Sequence, residues 1–226
     1  MPSYKKHALF ALIIALPFFQ DAFYLSLAVI GASIIDMDHH VKKNNLIIMA
    51  VFGILISLIL YILQIPFLIG ISLIGMVLIF HLSKHRGFSH SLCGAFVLSF
   101  LLSFFVLGFY NLFNGFNIDS RILTITISFI LGIIVLNKKI LLPFIILTSL
   151  GIIIAPTSNL SFYYTFLAIL AGSLSHMLLD LFTPRGIELL NPLSSRKFKK
   201  GFGSVLFILW AFSAFIFIFG YGNIII

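Results

Sequence analysis

The stretch LIFHLSKHRGFSHSLCGAFVLSFLLSFFVL, residues 78–107, places a short polar segment between two long apolar runs. After Arg86 the chain carries no Asp, Glu, Lys or Arg until Asp119. Within lipid, only α-helices and closed β-barrels satisfy the backbone hydrogen-bonding groups, and the period-two alternation of barrel strands is absent here. The stretch therefore predicts two transmembrane helices joined by a polar turn.

The rest of the chain has the same character. Its 226 residues are 61% hydrophobic and 9% charged, with a mean hydropathy of +1.20. Soluble domains are about 45–50% apolar and about 25% charged. This composition excludes an ordinary water-soluble domain and indicates a bilayer environment. The length leaves no room for a second soluble domain, so residues 1–226 are predicted to form a single integral membrane domain.

The apolar runs predict an all-α fold, a polytopic transmembrane helix bundle of about 7–9 helices. Pro17, Gln20 and Asp21 interrupt the first run, residues 8–35, which therefore predicts a short or re-entrant hairpin of two helices. A secretory signal peptide is an alternative reading of this run. It continues past any plausible cleavage point, however, and is expected to be retained. The later runs are residues 46–63, 66–83, 90–112, 121–136, 140–155, 161–182 and 203–222.

Basic residues set the predicted orientation. If the N-terminus is inside, each successive pair of helices returns the chain to that side. The segments returned are residues 36–45, 84–89, 137–139 and 183–202. Of the 14 Lys and Arg residues, only Arg121 then lies on the opposite side. The positive-inside rule then predicts the cytoplasmic (inner) membrane, with the N-terminus and this face in the cytoplasm. The chain has a net charge of +8 but no long run of basic residues, so no nucleic-acid partner is expected. The single cysteine, Cys93, excludes zinc sites that need several thiolates and is expected to have a packing role within its apolar run.

The segment SHMLLD, residues 175–180, carries the first candidate ligands. His176 and Asp180 are four residues apart on a predicted helix and therefore share one face. An imidazole and a carboxylate inside an apolar helix are costly unless they are paired or bound to a metal. A metal-binding edge and a buried His–Asp hydrogen bond are both consistent with this segment.

The polar turn HLSKHRGFSHS, residues 81–91, carries further candidates. Gly87 can end one helix and Ser89 can cap the next, which His90 would open. His85 and His90 could then face a common point, with Arg86 beside an anionic group. A plain polar turn at the membrane surface is the alternative, and the sequence does not decide whether His81 or His85 faces the centre.

The segment DMDHH, residues 36–40, is the third segment with candidate ligands. If the helix continues, Asp36, His39 and His40 share a face. If it ends here, Asp38 can also turn inward or cap the next segment of the chain. Carboxylate with imidazole suits zinc, manganese or iron and does not match a calcium loop. Either His39 or His40 could face the centre, and a solvated turn is the alternative.

These motifs resemble those of the YdjM-like family of membrane-bound proteins, which are regarded as metal-dependent hydrolases. The family pattern has an early Thr-His, an Asp-x-Asp-His, a His-Arg-Gly-x-Thr-His-Ser, and a late His-x-x-x-Asp followed by Thr and Gly. Residues 36–39 match in full, and residues 85–91 match with serine at Ser89. The early element departs from the pattern, because Lys6 stands where the family has threonine. The late element is His176, Asp180, Thr183 and Gly186.

The resemblance implies a hydrolase at the cytoplasmic face with one or two zinc, manganese or iron ions as cofactor. Two ions in such a site lie about 3.5–4 Å apart. A phosphoester or other lipid-linked substrate from the membrane is expected, with Arg86 or Arg185 holding an anionic oxygen. The predicted catalytic residues are Asp38, His85, Arg86 and His90. The predicted metal ligands are His7, Asp36, Asp38, His39, His85, His90, His176 and Asp180.

Other functions fit part of the pattern. A metal-ion transporter would also place His and Asp in the membrane, but the polar residues are expected at one face only. A non-enzymatic scaffold with a structural metal is a further alternative. An intramembrane metalloprotease is disfavoured because the sequence has no His-Glu-x-x-His motif. His7 itself, next to two lysines, could be either a solvated surface residue or a ligand.

Overall fold

In a computed structural model, which describes residues 3–38, 43–64, 68–83, 87–155 and 160–221, the chain is an all-α helix bundle, as predicted. These ranges contain an isolated bridge between Ile187 and Phe198 and no β-strand. The nine α-helices of the described residues are α1 Tyr4–Ala15, α2 Ala22–Ile34, α3 Lys43–Ile62, α4 Leu68–Leu82, α5 Leu92–Asn114, α6 Ser120–Val135, α7 Lys138–Ile154, α8 Phe162–Leu181 and α9 Lys200–Ile216.

The first apolar run forms two short helices, α1 with 12 residues and α2 with 13. At 1.5 Å per residue they are about 18–20 Å long, which is less than the hydrocarbon thickness of about 30 Å. Asp21 begins α2, where its carboxylate accepts a hydrogen bond from the Phe23 N–H at 2.8 Å. The predicted interruption is therefore a helix boundary, and α1 packs back against α2.

The centre of the bundle is the pair α2 and α8, which make the most extensive helix–helix contact. Two glycines allow this approach. A Cβ on Gly172 would collide with the Ala28 carbonyl oxygen, and one on Gly31 would collide with the Ile169 carbonyl oxygen. The Ser173 hydroxyl also donates to the Gly31 carbonyl at 3.1 Å. Small residues that bring helix backbones together are typical of membrane helix interfaces.

Three helices within the described ranges are long and apolar enough to cross a membrane: α5, α8, and α9 together with its π-helical extension Phe217–Tyr221. Large apolar side chains are exposed along the outer faces of the bundle, including Leu142 on α7 and Ile208 on α9. Such surfaces suit contact with lipid tails. Cys93, for which a packing role was expected, is exposed on the bundle surface.

Candidate metal centre

Helix α8 supplies two of the side chains in the site. His176 and Asp180 lie one turn apart on the same face, with His176 Nε2 at 3.7 Å from Asp180 Oδ2. Because α8 is packed on several sides by α1, α2 and α5, both residues are almost completely buried, at 1% and 2% exposure. The four-residue spacing therefore has the consequence predicted from the sequence, a paired imidazole and carboxylate inside the bundle.

His90 reaches the same place from the start of α5. It ends a 3-10 turn, Phe88–His90, and is completely buried. The residue that caps α5 is Ser91, whose hydroxyl accepts a hydrogen bond from the Gly94 N–H at 3.0 Å. The predicted cap at Ser89 is therefore wrong, because the extra turn moves the helix start two residues along the chain.

Ser89 instead contacts the His90 ring. Its hydroxyl lies 3.1 Å from His90 Nδ1. With the ring proton on Nδ1 and donated to this oxygen, the lone pair of Nε2 faces the two carboxylates. Metal-binding histidines generally have such a partner on the other ring nitrogen, because it fixes both the tautomer and the orientation of the ring.

Asp36 comes from a 3-10 turn, Ile35–Asp38, that follows α2. The α-helix ends at Ile34, so the predicted face that depended on a continuing helix does not form at Asp36. The Asp36 side chain is 13% exposed and lies 3.6 Å from His176 Nε2 and 3.7 Å from His90 Nε2, measured from Oδ1. It is the most accessible of the four groups around this point.

The nitrogen-to-oxygen distances among these four groups are close to those between ligands of one cation. His90 Nε2 and His176 Nε2 each lie 3.6–3.8 Å from Asp36 Oδ1 and Asp180 Oδ2. Hydrogen bonds between such atoms are shorter, about 2.7–3.2 Å. Ligand atoms around tetrahedral zinc, with bonds of about 2.0–2.2 Å, lie about 3.3–3.6 Å apart. A contraction of a few tenths of an ångström would therefore bring each imidazole nitrogen and its neighbouring carboxylate oxygens to the separation of ligands on one ion.

His7 from α1 adds a fifth group. Its ring stacks on the His176 ring, with centroids 3.9 Å apart and planes at 15°. His7, His176 and Asp180 offer ligand atoms that all lie within 4.8 Å of one another, as do Asp36, His90 and His176. The buried His7 Nδ1 has no hydrogen-bond partner in the described part of the chain. The alternative of a solvated surface residue is wrong, because His7 is only 4% exposed.

A cavity of about 600 Å³ adjoins these groups. The chain supplies two lysines to it, Lys5 from α1 and Lys139 from the first turn of α7. Sequence reasoning used both lysines to set the orientation and missed their place beside the site. The available signal was their shared membrane face. The lining residues are Ser3, Tyr4, Lys5, His7, Asp36, Asn137, Lys139, Ile140, His176 and Asp180.

His39, His40, His85 and Arg86 lie outside the described residues, and so does the side chain of Asp38, whose backbone ends the 3-10 turn. Their roles stay predictions from sequence.

Two further candidates are described. His81 lies exposed in the last turn of α4, outside both candidate ligand groups found among the described residues. Arg185 is exposed and does not line the site cavity.

Comparison with known families agrees with the motifs. The profile of the family described as YdjM inner membrane protein matches residues 1–225, and the chain therefore belongs to this family. Membership makes it a membrane protein, in agreement with its apolar helices. A comparison with curated proteins found no match, and neither did a comparison with solved structures.

Proposed function

We propose that this member of the YdjM family is a membrane-embedded, metal-dependent hydrolase that cleaves a phosphoester of a membrane lipid or lipid-linked substrate. The observation that carries the proposal is a set of two imidazole nitrogens and two carboxylate oxygens in which each nitrogen lies 3.6–3.8 Å from each oxygen. They come from three segments that are distant in sequence. A cluster of this chemistry, buried next to a cavity, is the usual setting of metal-assisted hydrolysis.

Asp36, His90, His176 and Asp180 would hold the metal, and His7 would bind a second ion or complete the shell of the first. The donor set of nitrogen and oxygen suits zinc, manganese or iron. Such an ion acts as a Lewis acid on a phosphoryl oxygen and activates water near neutral pH. The cavity beside His7, Asp36 and His176 gives water and substrate access from one side.

Residues of the chain itself would position the substrate. Lys5 and Lys139 line the cavity and can hold anionic phosphoryl oxygens. Asp38, His85 and Arg86 are assigned to proton transfer and anion binding by their motifs. His90 is oriented toward the carboxylates by Ser89, which supports a fixed role in the site.

The site is proposed to face the cytoplasm, with the N-terminus on the same side and the chain crossing the inner membrane several times. The support is the distribution of Lys and Arg, since Lys5, Lys6, Lys138 and Lys139 border the end of the bundle that carries the site. A lipid substrate could then present its phosphate at the interface while its hydrocarbon part stays in the bilayer.

A transport function has less support. A path for ions needs polar groups through the full depth of the membrane. Asp21, at the other end of α2, accepts a hydrogen bond from Phe23 N–H and begins the helix. That contact gives Asp21 a structural role, and the candidate ligands that the structure describes belong to one end of the bundle.

The test is hydrolysis by the purified protein in detergent, with phosphatidic acid and isoprenoid phosphates as substrates. We expect phosphate release that a chelator abolishes and that added zinc or manganese restores. The variant His176→Ala should be inactive, whereas Ser213→Ala, an exposed residue of α9, should retain wild-type activity. Absence of metal-dependent release from every lipid phosphate in such a screen would contradict the proposal.

A further inference from the structure

A second cavity, about 440 Å³ in volume, lies in a groove formed by α1, α2 and α7. Helices α1 and α7 each pack against α2, and the groove runs between them. Its walls are almost entirely apolar and include Ala8, Leu12, Val29, Pro143 and Leu147. The groove is therefore a surface for hydrocarbon.

The groove and the site cavity are adjacent and share part of their lining. Lys5, Lys139 and Ile140 line both of them. Two positive charges consequently stand where the apolar groove meets the cavity that contains His7, Asp36, His176 and Asp180. A ligand that extends across this junction would place an anionic group by the lysines and an apolar chain in the groove.

The groove is open on its outer side. Leu9 and Leu147, which belong to its walls, are 61% and 68% exposed. In a membrane this side faces lipid, so that a hydrocarbon chain could enter laterally without passing through water. The part of α2 in the groove, from Ala22 to Val29, is about 10 Å long at 1.5 Å per residue, which accommodates the first part of a lipid chain.

Another apolar groove provides an internal comparison. It lies between α8, α9 and neighbouring segments, has a volume of about 380 Å³, and is lined by Ala171, Leu178 and Trp210 among others. Among the residues that the structure describes, it shares no lining residue with the site cavity, and no lysine or arginine lines it. Apolar character alone therefore does not distinguish the two grooves, whereas the two lysines and the lining shared with the site cavity do.

We infer that the groove between α1, α2 and α7 binds one hydrocarbon chain of a phosphorylated membrane lipid, whose phosphate lies between Lys5 and Lys139 at the entrance to the site. This inference rests on the proposed function for the identity of the ligand as substrate. It adds the position of the lipid chain and the feature that recognises it, an anionic head joined directly to hydrocarbon.

The experiment uses the full chain in phosphatidylcholine vesicles with an alkylphosphonate that carries a photoactivatable diazirine in its chain. Labelled peptides, mapped by mass spectrometry, should come from α1, α2 and α7. Unlabelled alkylphosphonate should compete with the probe, and the corresponding alkyl alcohol should not, because it lacks the charge that the lysines recognise.

Variants that fill the groove should remove the label. Ala8→Phe is expected to lower the amount of labelling at least about tenfold, because the phenyl ring would displace part of the lipid chain. The loss of roughly two buried methylene groups is enough for a tenfold loss of affinity. The matched control, Ala171→Phe in the other groove, should leave it unchanged. Leu147→Trp provides a second test at an exposed position of the rim, where folding is less sensitive to side-chain size.

The outcomes separate the two proposals. Labelling that maps to α9, or that persists in both Ala8→Phe and Leu147→Trp, would overturn the groove assignment. Because a phosphonate is not hydrolysed, the labelling reports binding alone. A chain that takes up the probe in this groove but hydrolyses no lipid phosphate would refute the proposed function and leave the assignment of the groove intact.

Discussion

Helices α8 and α9 are both long enough and apolar enough to cross a membrane, but they occupy different environments. Half of the apolar span of α8 is buried in the bundle, against 11% for α9 with its extension. Helix α8 carries His176, Asp180 and a glycine at its closest contact, whereas α9 presents residues such as Leu209 and Phe212 outward.

The difference shows how the chain keeps its ionisable residues away from lipid. A polar side chain in hydrocarbon is costly unless neighbouring groups satisfy it, so the helix with the ionisable residues has to be surrounded by other helices. Helix α9 carries no ionisable residue beyond its first turn and therefore does not have to be surrounded by other helices. Substitutions at matched positions of the two helices should therefore have very different effects.

The largest expected effect is loss of metal on replacing a ligand of α8. His176→Ala and Asp180→Ala should each lower metal affinity by more than about 100-fold, because changes at residues that merely support ligands already cost 10–100-fold. Metal content after dialysis against buffered free zinc measures this. Ser213→Ala in α9, where the hydroxyl donates only to Leu209 of its own helix, is the control. Equal metal content in all three variants would remove the ligand assignment.

The next largest effect is expected on the free energy of unfolding, when two glycines are each replaced by alanine. Gly172→Ala in α8 would drive a Cβ into the Ala28 carbonyl, and backbone cannot move aside easily. We expect a loss of about 1–3 kcal/mol. Gly201→Ala in α9 meets nothing within 4 Å and should be neutral or gain up to about 1 kcal/mol from helix propensity. Thermal unfolding in detergent compares them, and equal melting temperatures would contradict the close packing of α2 and α8.

A smaller effect is expected at Ser89, which acts on the site through His90. Ser89→Ala should weaken metal binding by about tenfold, the lower end of the range for groups that orient ligands. The control is Ser204→Ala in α9, where the hydroxyl donates to the Lys200 carbonyl of its own helix. Zinc titration of both variants provides the measurement. Affinity unchanged in Ser89→Ala would show that the His90 ring is oriented by other contacts.

Much of the fold could be predicted from the sequence, because apolar runs and their breaks correspond to helices and turns. The interruption around Pro17 and Asp21 did separate two short helices. Pattern alone could not identify α2 and α8 as the central pair. That depends on Gly31 and Gly172 facing carbonyl oxygens across the interface, a relation between residues far apart in the chain.

The site was predictable to a different degree at each residue. His176 and Asp180 follow from helical periodicity, which fixes their common face. The position of His90 depends on a 3-10 turn that shifted the cap to Ser91, and no periodic signal marks such a turn. Lys139 reaches the cavity only through the packing of α7 on α2, so its place could not be derived from its neighbours in sequence.

The most direct test of the metal centre is X-ray absorption spectroscopy of the zinc-loaded protein. Four or five nitrogen and oxygen neighbours at about 2.0–2.2 Å, including at least two imidazoles, are expected. One imidazole contribution should disappear in His176→Ala. A shell of water oxygens without imidazole, or a spectrum identical in wild type and His176→Ala, would contradict the account.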